Sequence, residues 1–555
     1  MIPSVSDVTR QAIEAVLDDR CPGEWRPVRD GEATPAGEGN SACWRLDASP
    51  GEHGHQSVDF VWLCIDGDFP LSRMRIYAPG ASALGASAWP HVEDMARLCL
   101  GPLPLDIKSH VRFAVQDAFV ILGMDGAARA NEFAREFIPY WDRHVGKIPE
   151  ARSLISPGGQ SRPIVWASWG KSFMFAEDRA TIEHWFAQGG YHLGPVRHTR
   201  LIRLDHAPTP DTYPNTGADI FALDPLVRNL CQTRDPVPVL LEVPSPGGMV
   251  QVAVVIRPPD LAGLPKNRRH PVRNERRDVV FGPAPVSRMT VMRQDHAWVH
   301  GRDHNKDAAE LVQMSVGIIG CGALGSEVTR LLAAAGVGQF VFVDKERLES
   351  ANTTRHALGA ASVGEWKATA LAKAIGQQFP HLAKAVTYHH AFEQLETEAL
   401  DELASCSLIL AAGVDALALT RIARWRDGLE DPPPLIIAWV EEFACVGHAM
   451  LLSPGLTAKT FLDDDGRPKA NLTSKWPIAL ANVVPAGCGS SFQPYAATDM
   501  LGTVQTTTRL VLNALLGNAQ APIHRIWLGD RRVPERLEAT ISQTFDGAFR
   551  EINGR

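Results

Sequence analysis

Nine cysteines are scattered through the 555 residues without a single Cys-x-x-Cys pair, so the sequence offers no zinc ribbon and no thioredoxin-like redox motif. An odd, unclustered set suits a reducing cytoplasm, where individual cysteines are buried hydrophobes or reactive thiols. No apolar run approaches the ~20 residues needed to span a bilayer. The stretch from Met1 to Asp19 mixes charges at helical spacing and lacks the apolar core of a signal peptide. A net charge of −8 is modest for this length and gives no global reason to expect a nucleic-acid or membrane partner. What is present is ordinary globular composition, 45% hydrophobic and 21% charged, in a chain long enough for about three domains.

The most informative stretch is Val316-Gly-Ile-Ile-Gly-Cys-Gly-Ala-Leu-Gly-Ser326. A short apolar run enters glycines at Gly320, Gly322 and Gly325, a helical pattern continues to Ala335, and a second apolar run from Gln339 to Val343 ends in Asp344. Strand, glycine turn, helix, strand and acid is the nucleotide-binding βαβ arrangement. The glycines let backbone approach a phosphate, and the helix N-terminus offers it unpaired N–H groups.

The residues beyond Asp344 select the chemistry. Hydride transfer leaves a cofactor's pyrophosphate intact and needs no added cation, whereas adenylation must neutralise charge on departing phosphates. Arg355 is suited to forked phosphate contacts and Lys367 to a compact point charge. Asp344 can accept hydrogen bonds from a ribose. Ser407-Leu-Ile-Leu-Ala-Ala-Gly-Val-Asp415 reads as a buried strand running to an acid that can hold Mg²⁺.

Upstream, residues 5–18 read as an amphipathic helix, and three apolar runs ending at Leu46, Ile65 and Tyr77 read as consecutive strands. A Gly/Ala-rich loop leads to Trp89-Pro-His91 and Cys99, and helices are expected over 107–122 and 127–144. Strands ending at Trp169, Val243 and Ile256 suggest a folded connecting module at 151–300. Its basic run, 266–277, reads as a solvated face rather than a phosphate-binding patch. His300-Gly-Arg-Asp-His304 has metal-capable residues without compelling ligand spacing.

The ordered set around residues 300–530 resembles the ThiF/MoeB and ubiquitin-activating adenylation family: G-x-G-x-x-G, an acidic strand end, Asn352-x-x-Arg355 followed by His, Gly364-x-x-Lys367 and a later strand ending in Asp415. Glu346 stands where that family commonly repeats Asp. The resemblance implies ATP as the nucleotide, with Gly320, Gly322 and Gly325 at the phosphates and Asp344 at the ribose. It places Asn352, Arg355 and Lys367 around the triphosphate and Asp415 on Mg²⁺. The zinc-binding Cys pairs of many bacterial relatives are absent, so zinc is not expected. Cys488, between glycines in a loop before the helical run 498–516, matches the family's cysteine-bearing loop. It reads as a thioester nucleophile or as the idle cysteine of relatives that only adenylate.

The first 150 residues resemble ubiquitin-conjugating enzymes, which place His-Pro-Asn after a strand meander and the catalytic cysteine eight residues after the Asn. Cys99 lies eight residues after His91, which occupies the Asn position. The resemblance implies Cys99 as acyl carrier and His91 as hydrogen-bond donor to the oxyanion; a buried structural cysteine is the other reading.

The expected architecture is therefore multidomain, α+β and α/β: a ubiquitin-conjugating-like domain at 1–150, a folded linker at 151–300 and a Rossmann-like ThiF-type adenylation domain at 301–555. This order resembles the E1–E2 fusion family associated with CD-NTases in bacterial CBASS antiphage operons. The resemblance implies a donor with an exposed C-terminal tail (a cGAS/DncV-like nucleotidyltransferase), an acceptor amine on a protein or small molecule, a homodimer and a cytoplasmic location. Competing readings are the same chemistry on a bacterial ubiquitin-like modifier, a sulfur-carrier adenylyltransferase with an N-terminal docking module, and a non-enzymatic scaffold.

Overall fold

A computed structural model describes residues 5–554 apart from 22, 30–31, 33–40, 48–57, 84–88, 102–103, 144–149, 233–234, 258–273, 456–460, 464–465 and 478–494. The chain divides into two compact units. The first comprises residues 1–151, 157–164 and 198–291; the second comprises 152–156, 165–197 and 292–555. The stretch read as a connecting module thus supplies segments to both.

In the first unit, helix Asp7–Arg20 starts where the Ser6 side chain accepts the Thr9 N–H at 3.1 Å, a side-chain N-cap. Strands Trp25–Pro27, Ala42–Asp47, Phe60–Ile65 and Arg75–Tyr77 then form an antiparallel meander in chain order. Along the second strand, Ala42, Trp44 and Leu46 alternate inward, the period-2 signature of a half-buried strand. They pack with Ile13 and Leu17 of the first helix and with Val111, Ala114, Val115 and Ala118 of helix Ile107–Leu122. The single helix expected over 127–144 is two helices, Gly126–Arg135 and Phe137–Arg143. The break falls at Glu136, whose backbone (φ −105°, ψ 38°) leaves the helical region. Strands Val237–Ser245 and Gly248–Ile256 form an antiparallel hairpin in the same unit, flanked by Val286–Arg293.

The second unit is built on an eight-stranded sheet. Its order is Val386–Tyr388, Gln339–Val343, Ser315–Ile319, Leu408–Ala412, Leu435–Val440, Val446–Leu452, Ile523–Leu528 and Arg550–Asn553. The first five are parallel and the last three antiparallel. The parallel strands read as near-continuous apolar runs because both faces are covered. Helices Ala323–Ala335, Lys367–Gln378 and Ala497–Leu515 pack into one core cluster, and Ala416–Asp427 into the other. Strand order reverses between Ser315–Ile319 and Leu408–Ala412, and such a switch point opens a crevice at the strands' C-terminal ends. Among the described residues, no helix is long and apolar enough to cross a membrane.

Candidate functional site

The crevice at the switch point holds a cavity of about 620 Å³, lined by Gly320, Gly322, Asp344, Lys345, Glu346, Lys367, Asp415, Trp439 and Tyr495 among others. Its floor is the glycine turn. Gly320 sits at φ +93°, and a Cβ there would lie 2.3 Å from the Ala412 carbonyl oxygen. A Cβ on Gly325 would lie 2.0 Å from the Gly320 carbonyl oxygen, so this glycine serves helix-to-strand packing and is not part of the lining. Gly322 differs from both: a Cβ added there meets nothing within 4 Å. It caps helix Ala323–Ala335 without a side-chain bond, so the first-turn N–H groups adjoin the cavity.

Three side chains fix the turn. Asp344 accepts from the Cys321 N–H at 2.7 Å through one oxygen and from the Glu346 N–H at 2.7 Å through the other. Burial pushes its carboxyl above the usual range, against the pull of those N–H groups and of Lys367. Its structural duty precedes any contact with a ribose. His356, 6% exposed, accepts the Leu358 N–H on Nδ1 at 3.1 Å and therefore donates from Nε2 to the Cys321 carbonyl at 2.7 Å. Burial lowers its pKa to about 4, which keeps that tautomer neutral. Ser326 accepts the Ala357 N–H at 3.1 Å. The Cys321 thiol inside the turn is fully buried and pushed well up by burial and by Asp344, which makes it a poor nucleophile.

The charged residues divide. Lys367 is the first residue of its helix; its side chain is 7% exposed and its Nζ lies 2.5 Å from Glu346 Oε2. Asp415 stands three residues past the strand end as the N-cap of helix Ala416–Asp427, accepting the Ala418 N–H at 2.8 Å. Both line the cavity. Asn352 and Arg355 do not. Asn352 uses its side-chain oxygen to accept the Glu349 N–H at 3.0 Å. The Arg355 guanidinium lies 4.5 Å from the ring centre of Tyr495, and Tyr495 is what reaches the cavity.

Sequence reasoning noted His356 only as a motif residue without a role, and it missed Tyr495 and Trp439. Trp439 sits near the C-terminal end of strand Leu435–Val440, the same strand-end position that drew attention to Asp415. Its ring stacks on His448 with centroids 4.4 Å apart, and its Nε1 donates to Asn471 at 2.9 Å. His448 in turn meets the buried Glu441 at 2.7 Å, whose carboxylate also accepts the Leu472 and Thr473 N–H groups at 2.6 and 2.8 Å.

In the first unit, Cys99 is solvent-exposed and its N–H donates to the His91 carbonyl at 2.8 Å. His91 is held in the left-handed region (φ +59°), with its own N–H donating to the Tyr140 hydroxyl at 2.6 Å. Its ring is flanked by carboxylates: Nε2 lies 2.8 Å from Glu132 Oε1 and Nδ1 lies 3.4 Å from Glu136 Oε2. Both ring nitrogens thus face carboxylates, which compete with the expected role as oxyanion donor. Partial burial, then the negative charges of Glu93 and Glu136, push the Cys99 thiol above its ordinary range, against Arg143 and Arg97. Cys488 lies outside the described residues.

Residues 301–426 match the ThiF family. The chain is 25% identical over 482 residues to an ATP-dependent ubiquitin transferase-like protein Cap2 of Pseudomonas aeruginosa, covering 80% of this chain and 83% of that one. A Vibrio cholerae protein of the same name is 26% identical over 254 residues, 42% of this chain and only 41% of the relative's length. Mouse adenylyltransferase and sulfurtransferase MOCS3 is 36% identical over 85 residues, 15% of this chain and 18% of that protein. The structure of E. coli MccB with ATP is similar at a TM-score of 0.31 and 16% identity, over 45% of this chain and 66% of that one, too slight a likeness to argue from. The chain thus carries a ThiF-family match at residues 301–426 and, over most of its length, is similar at about a quarter identity to an ATP-dependent ubiquitin transferase-like protein Cap2.

Proposed function

We propose that the chain activates a protein's C-terminal carboxylate with ATP and passes the acyl group through cysteine thioesters to an amine. The observation that carries this reading is the cavity at the strand switch point, where the bare Gly322 turn, Lys367 and Asp415 converge. The open space above Gly322 and the helix N-terminus suit a phosphate. Lys367, already facing a carboxylate, can exchange that partner for phosphate oxygens and offset charge as pyrophosphate leaves. Asp415 has one oxygen engaged by the Ala418 N–H and can offer the other to Mg²⁺, which when bound neutralises phosphate charge. Arg355 enters through Tyr495, and Asn352 holds the segment that bears it.

The donor carboxylate attacks the α-phosphorus, giving an acyl-adenylate and pyrophosphate. Cys488 thiolate displaces AMP, Cys99 takes the acyl group by transthiolation, and an amine captures it as an amide. The donor in this reading is a nucleotidyltransferase of the cGAS/DncV kind ending in an exposed tail; the working form is a cytoplasmic homodimer with functional divisions at 1–150, 151–300 and 301–555. Full-length protein incubated with ATP, Mg²⁺ and a candidate donor tests the scheme. Wild type should give conjugates, and Cys99→Ala should retain adenylate but lose them. Conjugates undiminished in Cys99→Ala would sink the relay.

A further inference from the structure

The antiparallel meander of the first unit has two faces. One carries Ala42, Trp44 and Leu46 into the helix-covered core; the other carries a smaller cluster of Trp62, Cys64 and Tyr77, with Cys43 and Phe60 packed against it. We propose that Cys43 and Cys64 on this second face form a dithiol that a hydroperoxide oxidises to a cross-strand disulfide, Cys43 reacting first and Cys64 resolving it.

Register brings the two sulfurs together. Cys43 is the direct partner of Cys64 across strands Ala42–Asp47 and Phe60–Ile65, so both side chains leave the sheet on one face. The Cys43 carbonyl accepts the Val28 N–H at 3.0 Å and so points to the chain on its other side, beyond strand Trp25–Pro27. A residue's N–H and C=O leave a strand by the same edge, which makes Cys43 and Cys64 a non-hydrogen-bonded pair. Such pairs hold their Cα atoms about 4.5 Å apart, with side chains at their closest. That lies within the roughly 4.4–6.8 Å a disulfide spans. Arg75, the direct partner of Cys64 on strand Arg75–Tyr77, continues the row with a cation, which also meets Asp66 at 3.4 Å.

The two thiols differ in access and in charge. Cys43 is partly exposed and Cys64 fully buried. Cys64 donates a hydrogen bond to Cys43; that bond draws the Cys43 thiol below its ordinary range against partial burial, and Arg75 assists. The same bond, together with burial, keeps Cys64 protonated. Cys99 has the opposite setting: burial and the charges of Glu93 and Glu136 push its thiol up. Oxidation follows thiolate character as well as exposure, so Cys43 reacts before the more exposed Cys99.

The chemistry balances with the hydroperoxide as oxidant. For hydrogen peroxide, Cys43 sulfur attacks one oxygen, the O–O bond breaks, and the departing hydroxide leaves as water with the Cys43 proton. Cys64 sulfur then attacks the sulfenic sulfur of Cys43, the S–S bond forms, and the displaced hydroxide leaves as a second water with the Cys64 proton. Two thiols are oxidised and one peroxide is reduced. Where glutathione and thioredoxin keep thiols reduced, a pair of this kind rests open and closes transiently under oxidant.

Peptide mapping of the full-length protein after hydrogen peroxide treatment tests the assignment. Wild type should yield a linked peptide pair joining Cys43 to Cys64, lighter by two hydrogens and released by dithiothreitol. Its formation should outpace oxidation of Cys99 by at least about tenfold, the factor that one pKa unit of thiolate supplies. Cys64→Ser and Cys64→Ala, two replacements that guard against a folding defect in either, should stop at a Cys43 sulfenic acid captured by dimedone. Cys43→Ser should leave Cys64 unoxidised. Oxidation of Cys99 ahead of Cys43, a wild-type Cys43 that advances to sulfinic acid or links to another cysteine, or a Cys64 that oxidises as fast without Cys43, would overturn the proposal.

Discussion

Replacing Lys367 with Met removes a charge from the candidate ATP cavity while keeping the buried stem. In the resting protein this lysine does little for stability. Its partner Glu346 has a side chain 59% exposed, and an ion pair with one such wet member contributes only about 0–1 kcal/mol. With a phosphate at the same place the situation reverses. A cation about 4 Å from a developing negative charge, at an effective dielectric near 20, interacts by roughly 4 kcal/mol. Losing most of that slows the step by about 10²–10³-fold. Lys367→Met should therefore melt within a few degrees of wild type yet lose two to three orders of magnitude in ATP–pyrophosphate exchange. Exchange within threefold of wild type would refute the argument that Lys367 faces the departing phosphates. A melting temperature that collapses with activity would show that the lysine is structural instead.

The glycine turn predicts a contrast. Gly325→Ala drives a methyl to 2.0 Å from the Gly320 carbonyl and should cost several degrees of melting temperature, whereas Gly322→Ala fits the unliganded fold and should weaken ATP binding alone; isothermal titration beside thermal melts separates them. Acid should destabilise the second unit through His356, whose pKa is about 4 when folded against an ordinary 6.5. The unfolded chain takes up the proton first, so stability is complete above 6.5 and falls as pH drops toward 4, by up to about 3 kcal/mol from this residue. Urea midpoints at pH 7 and pH 4.5 should show that loss, and His356→Gln should shrink it. Cys99 is exposed but held protonated, so iodoacetamide should label it more slowly than free cysteine at pH 7 and faster in Glu136→Gln. Labelling of wild type faster than free cysteine would contradict the acidic setting described for it.

The parallel core and its turn were legible because their signals are local. The Gly320 fingerprint, the apolar runs and the acidic strand ends each fall within a few residues, and the switch point is a consequence of them. Lys367 and Asp415 could be picked by charge type and spacing for the same reason. Other residues depend on distant partners that a local reading does not show. Asp344 looked like a free strand-end acid, but Cys321, twenty-three residues earlier, claims one of its oxygens. His91 reads as a donor for an oxyanion, but its ring also faces Glu132 and Glu136, forty-odd residues on. The helix break that presents Glu136 is announced by Pro139, which has no N–H to give the Arg135 carbonyl and whose ring would crowd that carbonyl in one continuous helix, so the single helix expected over 127–144 overlooked a local signal. Arg355 and Asn352 had the right chemistry, but whether such residues line a cavity or stand behind Tyr495 is decided by packing.

If the cavity directs attack on the α-phosphorus, the products made from ATP report it. Full-length protein given ATP, Mg²⁺ and a glycine-ended donor should release pyrophosphate and AMP, with an AMP–donor adduct trapped before any thiol step and absent when the donor's C-terminus is amidated. Release of ADP and inorganic phosphate, with no AMP adduct, would contradict the account.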